Sequence, residues 1–560
     1  MLVAAVSLIF ERRGQANYLP VLMLWAGSAG LYLAAFAQGR SWSFDWRKLW
    51  QRYWVEALYL GLATLGAAAL RFYKLGAIPR VINGDEGLLG QAALLTKQLP
   101  LANPFALFEN FGALYLQTIN VAFSLWGQTP FALRLLPAIG GVLAIPAIYL
   151  LARRLFGPRV AILAACLLAV SHMHMQFSRT VAVGYIQGTF LIPLELYFFL
   201  SGLENRSALR MALGGLILGL HFSIYLSAQI AAGLLLVYLV AATVLCWALI
   251  QKALRQILVF WLGVGVAALP GAVYAWRHPA EFFARLNVDG TFQSGWLARQ
   301  MAETGQSAVQ LLAGRVAHAF LSLIYYPSID FYGAPVPDLT LLAGTLFLLG
   351  LGYVLWRWRD PRYLLLNGYF WGVTVAVGIF SAPPSADSYR MLIALPAALL
   401  IAAIGLDRLL EVFTLNEPVR RAARAVVVVG VLAAALILNT RTYFVDFAGQ
   451  CRYGGDPQTR FASYLGNYLG QLDREADVYL LSDDVFRYGT HSSVDFLSRN
   501  LAVTNVPEPA ATLNPSAHSV IVAPASRADE LKQWANDHPG GNLHREYDCD
   551  KLMLLAYQFQ

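Results

Sequence analysis

Two adjacent acids, Asp85 and Glu86, stand within residues 78–98 (IPRVINGDEGLLGQAALLTKQ), just after a long apolar segment ends. A carboxylate in such a place can take a proton from an acceptor hydroxyl, which makes the pair a candidate general base and its neighbour. The same acids also suit an architectural role. Pro79, Asn83 and Gly84 break the preceding helix, and acids at the start of a new one satisfy unpaired backbone N–H groups and the helix dipole. Leu88, Leu89, Ala92, Ala93 and Leu95 follow at helical spacing, which predicts an amphipathic helix lying on a membrane surface. Residue types alone leave both readings open.

Two arginines stand where apolar runs end or begin: Ser178-Arg179 after the run 160–177, and Tyr389-Arg390 before the run 391–410. An arginine at such a place snorkels to the headgroups unless it faces a water-filled cavity or pairs with an anion. Its planar fork grips phosphate through parallel N–H donors. Two guanidinium groups and a carboxylate pair at one membrane face would therefore suit a reaction on an amphiphile with a phosphate head and a lipid tail. The carboxylate takes the acceptor's proton while the arginines hold the leaving phosphate. His172 and His174, two residues apart, do not share a helix face and so do not favour a metal site, although a divalent metal stays an open option. No Walker-type or dinucleotide glycine fingerprint calls for a nucleotide cofactor.

The elements that must position these groups are membrane helices. The 560 residues are 58% hydrophobic and only 13% charged, with a mean hydropathy of +0.53, too apolar for a soluble protein. The net charge of +8 comes from short Lys/Arg clusters between apolar runs, which excludes a nucleic-acid-binding face and reads as a topology signal. About twelve stretches are long enough to cross a membrane: 19–38, 54–72, 131–152, 160–177, 186–203, 211–227, 229–250, 257–276, 339–356, 363–381, 391–410 and 425–439. The basic clusters fall in alternate connections, so by the positive-inside rule the segments carrying Asp85-Glu86, Arg179, Tyr225, His278 and Tyr389-Arg390 lie on the outer face. Residues 111–127 are apolar, yet counting them as a span would invert every later loop, so they belong to the outer interface. Residues 1–10 lack a basic n-region, and no cleavable signal peptide is expected.

From Thr440 onward the apolar runs shorten to strand length, at 477–482, 501–506, 519–524 and 552–557, with helix-like stretches at 459–472 and 528–536. This predicts a small extracytoplasmic α/β domain (441–560) following a transmembrane catalytic region (54–440) and an N-terminal helix with a basic segment (1–53). Cys451 and Cys549 stand at the two ends of that domain, and an exported compartment permits a disulfide between them; two free thiols are the alternative.

In order along the chain, the acidic pair is followed by Phe131-Ala-Leu-Arg134-Leu-Leu-Pro137-Ala, Tyr149-Leu-Leu-Ala-Arg-Arg154-Leu-Phe-Gly157, Ser178-Arg179, Gly219-Leu-His221-Phe-Ser-Ile-Tyr225, His278-Pro279, and Tyr389-Arg390 before Leu395-Pro396. This series resembles the GT-C membrane glycosyltransferases of the protein O-mannosyltransferase and aminoarabinose-transferase type. The resemblance implies a transferase that takes a sugar from a polyprenyl-phosphate donor to a protein, lipid or cell-wall glycan acceptor at the outer face of the cell membrane. It implies Asp85 as general base, Glu86 beside it, Arg179 and Arg390 at the donor phosphate, and Tyr389, His278 and Tyr225 among the substrate-binding residues. Two positions depart from the pattern: Gly184 and Tyr185 stand where relatives often carry a second acid, and no arginine stands near Gln229. The competing role is non-catalytic handling or transport of lipid-linked sugars.

Overall fold

The computed structural model describes residues 1–11, 17–37, 46–96, 99–108, 111–245, 247–327, 333–383, 389–412, 417–449, 456–513, 516 and 518–559. Each of the twelve expected apolar runs contains a helix. Eight are long and apolar enough to cross a membrane, among them Pro130–Phe156, Tyr185–Glu204, Ser227–Val244 and Pro361–Phe380. The other four, Pro158–Val170, Ala208–His221, Leu341–Trp356 and Leu395–Glu411, have 13 to 17 residues. They rise only roughly 20–26 Å, short of a bilayer core. Two of them are lengthened by a second piece at one end. Ser171 breaks the first and caps a six-residue helix, His172–Phe177, through its hydroxyl. A 3₁₀ turn, Tyr389–Ile393, leads into Leu395–Glu411.

The helix Leu395–Glu411 is the centre of the bundle. Almost all of it is buried, and its leucines and alanines join one continuous apolar core with Leu346, Phe347, Phe370 and Ile148. Burying a Leu or Phe side chain stabilises by about 1.5–3 kcal/mol in water, but lipid is as apolar as leucine. Close packing and buried polar contacts therefore do more of the holding here. The helix Ala113–Trp126, of 14 residues, packs Tyr115, Leu116, Ile119 and Phe123 into a second apolar cluster. A two-residue ladder, β1 (Leu107–Phe108) and β2 (Phe111–Gly112), precedes it.

The C-terminal region carries a five-stranded sheet: β3 (Asp477–Leu481), β4 (Val503–Val506), β5 (Ser519–Pro524), β6 (Gly541–Asp548) and β7 (Lys551–Phe559), in the order β4-β3-β5-β7-β6. Strands β4, β3 and β5 run parallel, while β7 is antiparallel to both β5 and β6. Helices Pro457–Leu469, Ser492–Ser498 and Ala528–Asp537 accompany the sheet. Val520 and Val522 enter the apolar cluster on one face, Ile521 and Ala523 the cluster on the other, which is why β5 reads as a continuous apolar run. Strand β6 (GNLHREYD) is largely exposed at the sheet edge and carries no apolar alternation to announce it. Cys549 is disulfide-bonded, whereas Cys451 lies outside the described residues, as does Cys246; Cys166 is a free thiol.

Candidate active site

The acids sit at the start of the helix Gly84–Leu95. Asn83 caps it: the Asn83 side chain accepts from Asp85 N–H at 2.8 Å, and the Glu86 carboxylate accepts from Asn83 N–H at 3.4 Å, a capping box written in the sequence Asn-Gly-Asp-Glu. The helix does not lie on bare membrane as its periodicity predicts. Leu89, Ala92 and Ala93 pack instead with Tyr115, Leu116, Phe123 and Phe496 in a protein core. The C-terminal domain covers its other side. A Cβ at Gly87 would lie 2.3 Å from Ser493 N, and one at Gly90 2.5 Å from the Phe496 ring, so only glycine lets the helix Ser492–Ser498 approach this closely. Ser463 Oγ donates to Ile82 O and accepts from Ile82 N–H, both at 2.9 Å, and Arg80 pairs with Asp548 at 3.0 Å.

The two acids have opposite surroundings. Asp85 is exposed. Glu86 is fully buried, with each carboxylate oxygen 3.0 Å from a nitrogen of Arg134, which is also fully buried. Arg134 donates further to Leu75 O, Pro79 O and Val81 O. The ion pair therefore fixes the segment entering the acid helix, and Glu86 is held by protein rather than offered to an acceptor.

Arg179 performs the same service one turn of chain earlier. Its Nη atoms donate to Leu70 O, Arg71 O, Tyr73 O and Ile78 O at 2.7–2.9 Å, and Nε donates to the Tyr443 hydroxyl at 3.1 Å. The residue has no exposed surface. All five N–H groups have protein acceptors, so the geometry does not leave Arg179 free for a donor phosphate, and Arg179 does not line the cavity that Arg390 faces. Burial holds its pKa below the usual guanidinium range.

Arg390 does face a cavity. A space of about 860 Å³ lies between the helices Ser227–Leu245 and Pro361–Phe380. Arg390, Arg285, Asp289, Gln229, Tyr185 and Tyr225 lie at its polar end, while residues such as Leu234, Val237, Leu364, Val375 and Phe380 make the apolar remainder. Asp289 Oδ2 bridges Arg285 Nε at 2.6 Å and Arg390 Nη2 at 2.9 Å. Burial opposes the charge on Arg390, and the Asp289 carboxylate supports it. Arg390 Nη1 is buried without an acceptor among the described residues.

Tyr225 lies against Tyr185 with ring centroids 4.9 Å apart, and Tyr185 against Tyr389 at 6.1 Å, so three tyrosines line up beside Arg390. His278 does not line this cavity: it is half-exposed, stacks on Tyr274 at 4.4 Å and occupies the N-cap position of the helix Pro279–Asp289 without a side-chain cap. The far end of that helix supplies Arg285 and Asp289, which sequence reasoning missed. Their i,i+4 spacing was the available signal, but that pattern is ordinary on any exposed helix. The connection between acids and cavity is the segment after Arg179. Val181 N–H donates to Glu86 Oε1 at 3.4 Å, and Tyr185, four residues on, lines the cavity. Four residues reach at most about 14 Å. Among the described residues no group of three or more His, Cys, Asp or Glu is gathered as metal ligands.

Comparison with known proteins finds similarity in one segment and in the fold. Residues 112–276 match the family described as dolichyl-phosphate-mannose-protein mannosyltransferase, a segment that includes Arg134, Arg179, Tyr185 and Tyr225. No curated protein matches the chain. Among solved structures, ArnT from Cupriavidus metallidurans bound to undecaprenyl phosphate aligns at a TM-score of 0.54 and 15% identity over 90% of this chain and 98% of that one. Its apo form aligns at 0.52, with the same identity and coverage. The apo oligosaccharyltransferase of Archaeoglobus fulgidus aligns at 0.49 and 15% identity, over 89% of this chain and 74% of that one. The chain is thus similar to this mannosyltransferase family over residues 112–276 and shares the fold of ArnT over most of its length.

Proposed function

We propose that the protein transfers a sugar from a polyprenyl-phosphate carrier to a hydroxyl-bearing acceptor at the outer membrane face. The observation that carries this reading is the amphiphilic cavity. Arg390 and Arg285 supply cationic N–H donors at one end for a phosphate, and the slot between two membrane helices suits an isoprenoid chain. The ArnT relative bound to undecaprenyl phosphate supports a donor of this chemistry.

In this reading Asp85 accepts the proton of the acceptor hydroxyl as the acceptor oxygen bonds to the anomeric carbon. The bond from that carbon to the phosphate oxygen breaks, and the lipid phosphate leaves with the electron pair, its charge met by Arg390 and Arg285. Configuration at the anomeric carbon inverts. Arg134 and Arg179 act at one remove, by fixing the segment that presents Asp85. Tyr185, Tyr225 and Tyr389 wall the donor's head. A protein, a lipid or a cell-wall glycan would each serve as acceptor, approaching from the side of the C-terminal domain that covers the acid helix.

The test is Asp85→Asn in purified full-length protein supplied with polyprenyl-phosphate sugar and acceptor. Transfer should fall by at least about 100-fold with folding intact, in line with the loss of a general base. Transfer at the normal rate would remove Asp85 from the chemistry. Donor movement across vesicles with no glycosidic bond broken, in wild type and variant alike, would favour the transport role.

A further inference from the structure

A second recess lies at the opposite end of the bundle. The helix Pro361–Phe380 carries Phe380 into the Arg390 cavity and, roughly 30 Å of helix away, Arg362 into a space of about 210 Å³. Its walls are Phe156, Val160, Ile404, Tyr353 and Tyr363, and its cations are Arg357, Arg362 and Arg408, with no carboxylate among the lining residues. A water in bulk liquid takes up about 30 Å³, so the recess has room for a tetrahedral phosphate and part of its ester substituent.

The charge balance favours an anion. Arg362 is paired with Asp360 at 2.7 Å, and Arg408 with Asp407 at 2.9 Å and Glu411 at 2.6 Å, so outer carboxylates answer two of the three cations. Arg357 makes no direct ion pair among the described residues, although its charge also acts on Asp360, and it lies over the exposed Trp356 ring at 5.8 Å. Arg408 rests over the Tyr353 ring at 5.2 Å, and its buried Nε finds no acceptor among the described residues. Trp356 and Trp358 are both exposed beside the recess, as side chains at the level of lipid headgroups are. Arg357 and Arg362 stay exposed and Arg408 is partly so, and the three guanidinium groups border a recess with an aromatic and aliphatic back.

We infer that this recess is a phosphate-binding site, separate from the donor cavity, that takes either the headgroup of an anionic membrane phospholipid or free phosphate from the aqueous side. Arg357 supplies a cation held in no direct ion pair, Arg408 a buried N–H without an acceptor among the described residues, and the tyrosine hydroxyls further donors. The inference does not depend on what the Arg390 cavity binds.

The experiment uses full-length protein in nanodiscs and two variants. Arg357→Gln breaks no ion pair of the fold; Arg255→Gln removes an exposed cation of another basic connection outside the recess. Phosphatidylglycerol retained per chain is counted by native mass spectrometry. Separately, inorganic phosphate is titrated into protein held in phosphatidylcholine nanodiscs, with the thermal midpoint as readout. Arg357→Gln should weaken one or both responses about tenfold, and Arg255→Gln should change neither. Loss confined to phosphatidylglycerol identifies the lipid headgroup, and loss confined to inorganic phosphate identifies the soluble anion. Equal responses in wild type and Arg357→Gln, or equal loss in both variants, would overturn the site.

Discussion

Arg179 and Arg390 are both arginines beside apolar runs, and the sequence offers them as a pair. The structure puts them to different use. Arg179 is closed off, its N–H groups on the carbonyls of Leu70, Arg71, Tyr73 and Ile78 and on Tyr443, and Arg134 repeats the pattern with Glu86 and three carbonyls. Arg390 shares a single carboxylate with Arg285 and keeps a buried N–H without an acceptor beside a cavity. A guanidinium that saturates backbone carbonyls acts as a brace, and one with a donor to spare beside a cavity can receive a ligand. The acids divide in the same way, Glu86 bracing and Asp85 exposed.

The comparison breaks most sharply at the braces. Glu86→Ala leaves Arg134 as an uncompensated buried charge and should cost about 3–5 kcal/mol, seen as lost expression or a collapsed thermal midpoint in detergent. A folded variant of normal midpoint would show that the pair does not hold the segment. Arg179→Ala should likewise lower the midpoint, by leaving several buried carbonyls without donors. Arg390→Ala should do the reverse, keeping the midpoint within a few degrees while weakening polyprenyl-phosphate binding roughly 10- to 100-fold. If Arg179→Ala left stability intact and removed ligand binding, the two roles would have to be exchanged.

Much of this was legible in advance, for physical reasons. Membrane helices announce themselves because every apolar run must cross a hydrocarbon layer, and the start of the acid helix is written in Asn83, Asp85 and Glu86. Arg390 was recoverable from its place at the head of a span. The acceptors of Arg179 were not, since carbonyls look alike in every residue and these lie some hundred positions earlier. Arg285 and Asp289 were hidden because an i,i+4 pair becomes a site only when the fold turns one helix end into a cavity. The acid helix was expected on lipid because its apolar face cannot say what covers it; Gly87 and Gly90 were the trace of a protein neighbour.

Smaller effects sharpen the picture on the domain side. Gly87→Val forces a side chain into the Ser493 backbone and should cost about 1–3 kcal/mol, read as faster amide exchange in residues 492–498 and a lower transfer rate. Unchanged exchange there would mean that the domain does not depend on this contact. The smallest effect concerns pH. The hydrogen bond from Arg527 holds the Glu530 carboxyl below its usual value, so its folded pKa lies under its unfolded one. Its contribution is present above the ordinary glutamate range and is lost as pH falls below about 4.5. Amide exchange over Ala528–Asp537 should rise in that window in wild type and less so in Glu530→Gln. An identical rise in both would remove Glu530 from the explanation.

The most direct measurement is a structure of the full-length protein with undecaprenyl phosphate. The account predicts the phosphate within hydrogen-bonding distance of Arg390 and Arg285, the isoprenoid chain between the helices Ser227–Leu245 and Pro361–Phe380, and Arg179 still on its carbonyls. A phosphate seated on Arg179, with the Arg390 cavity vacant, would contradict it.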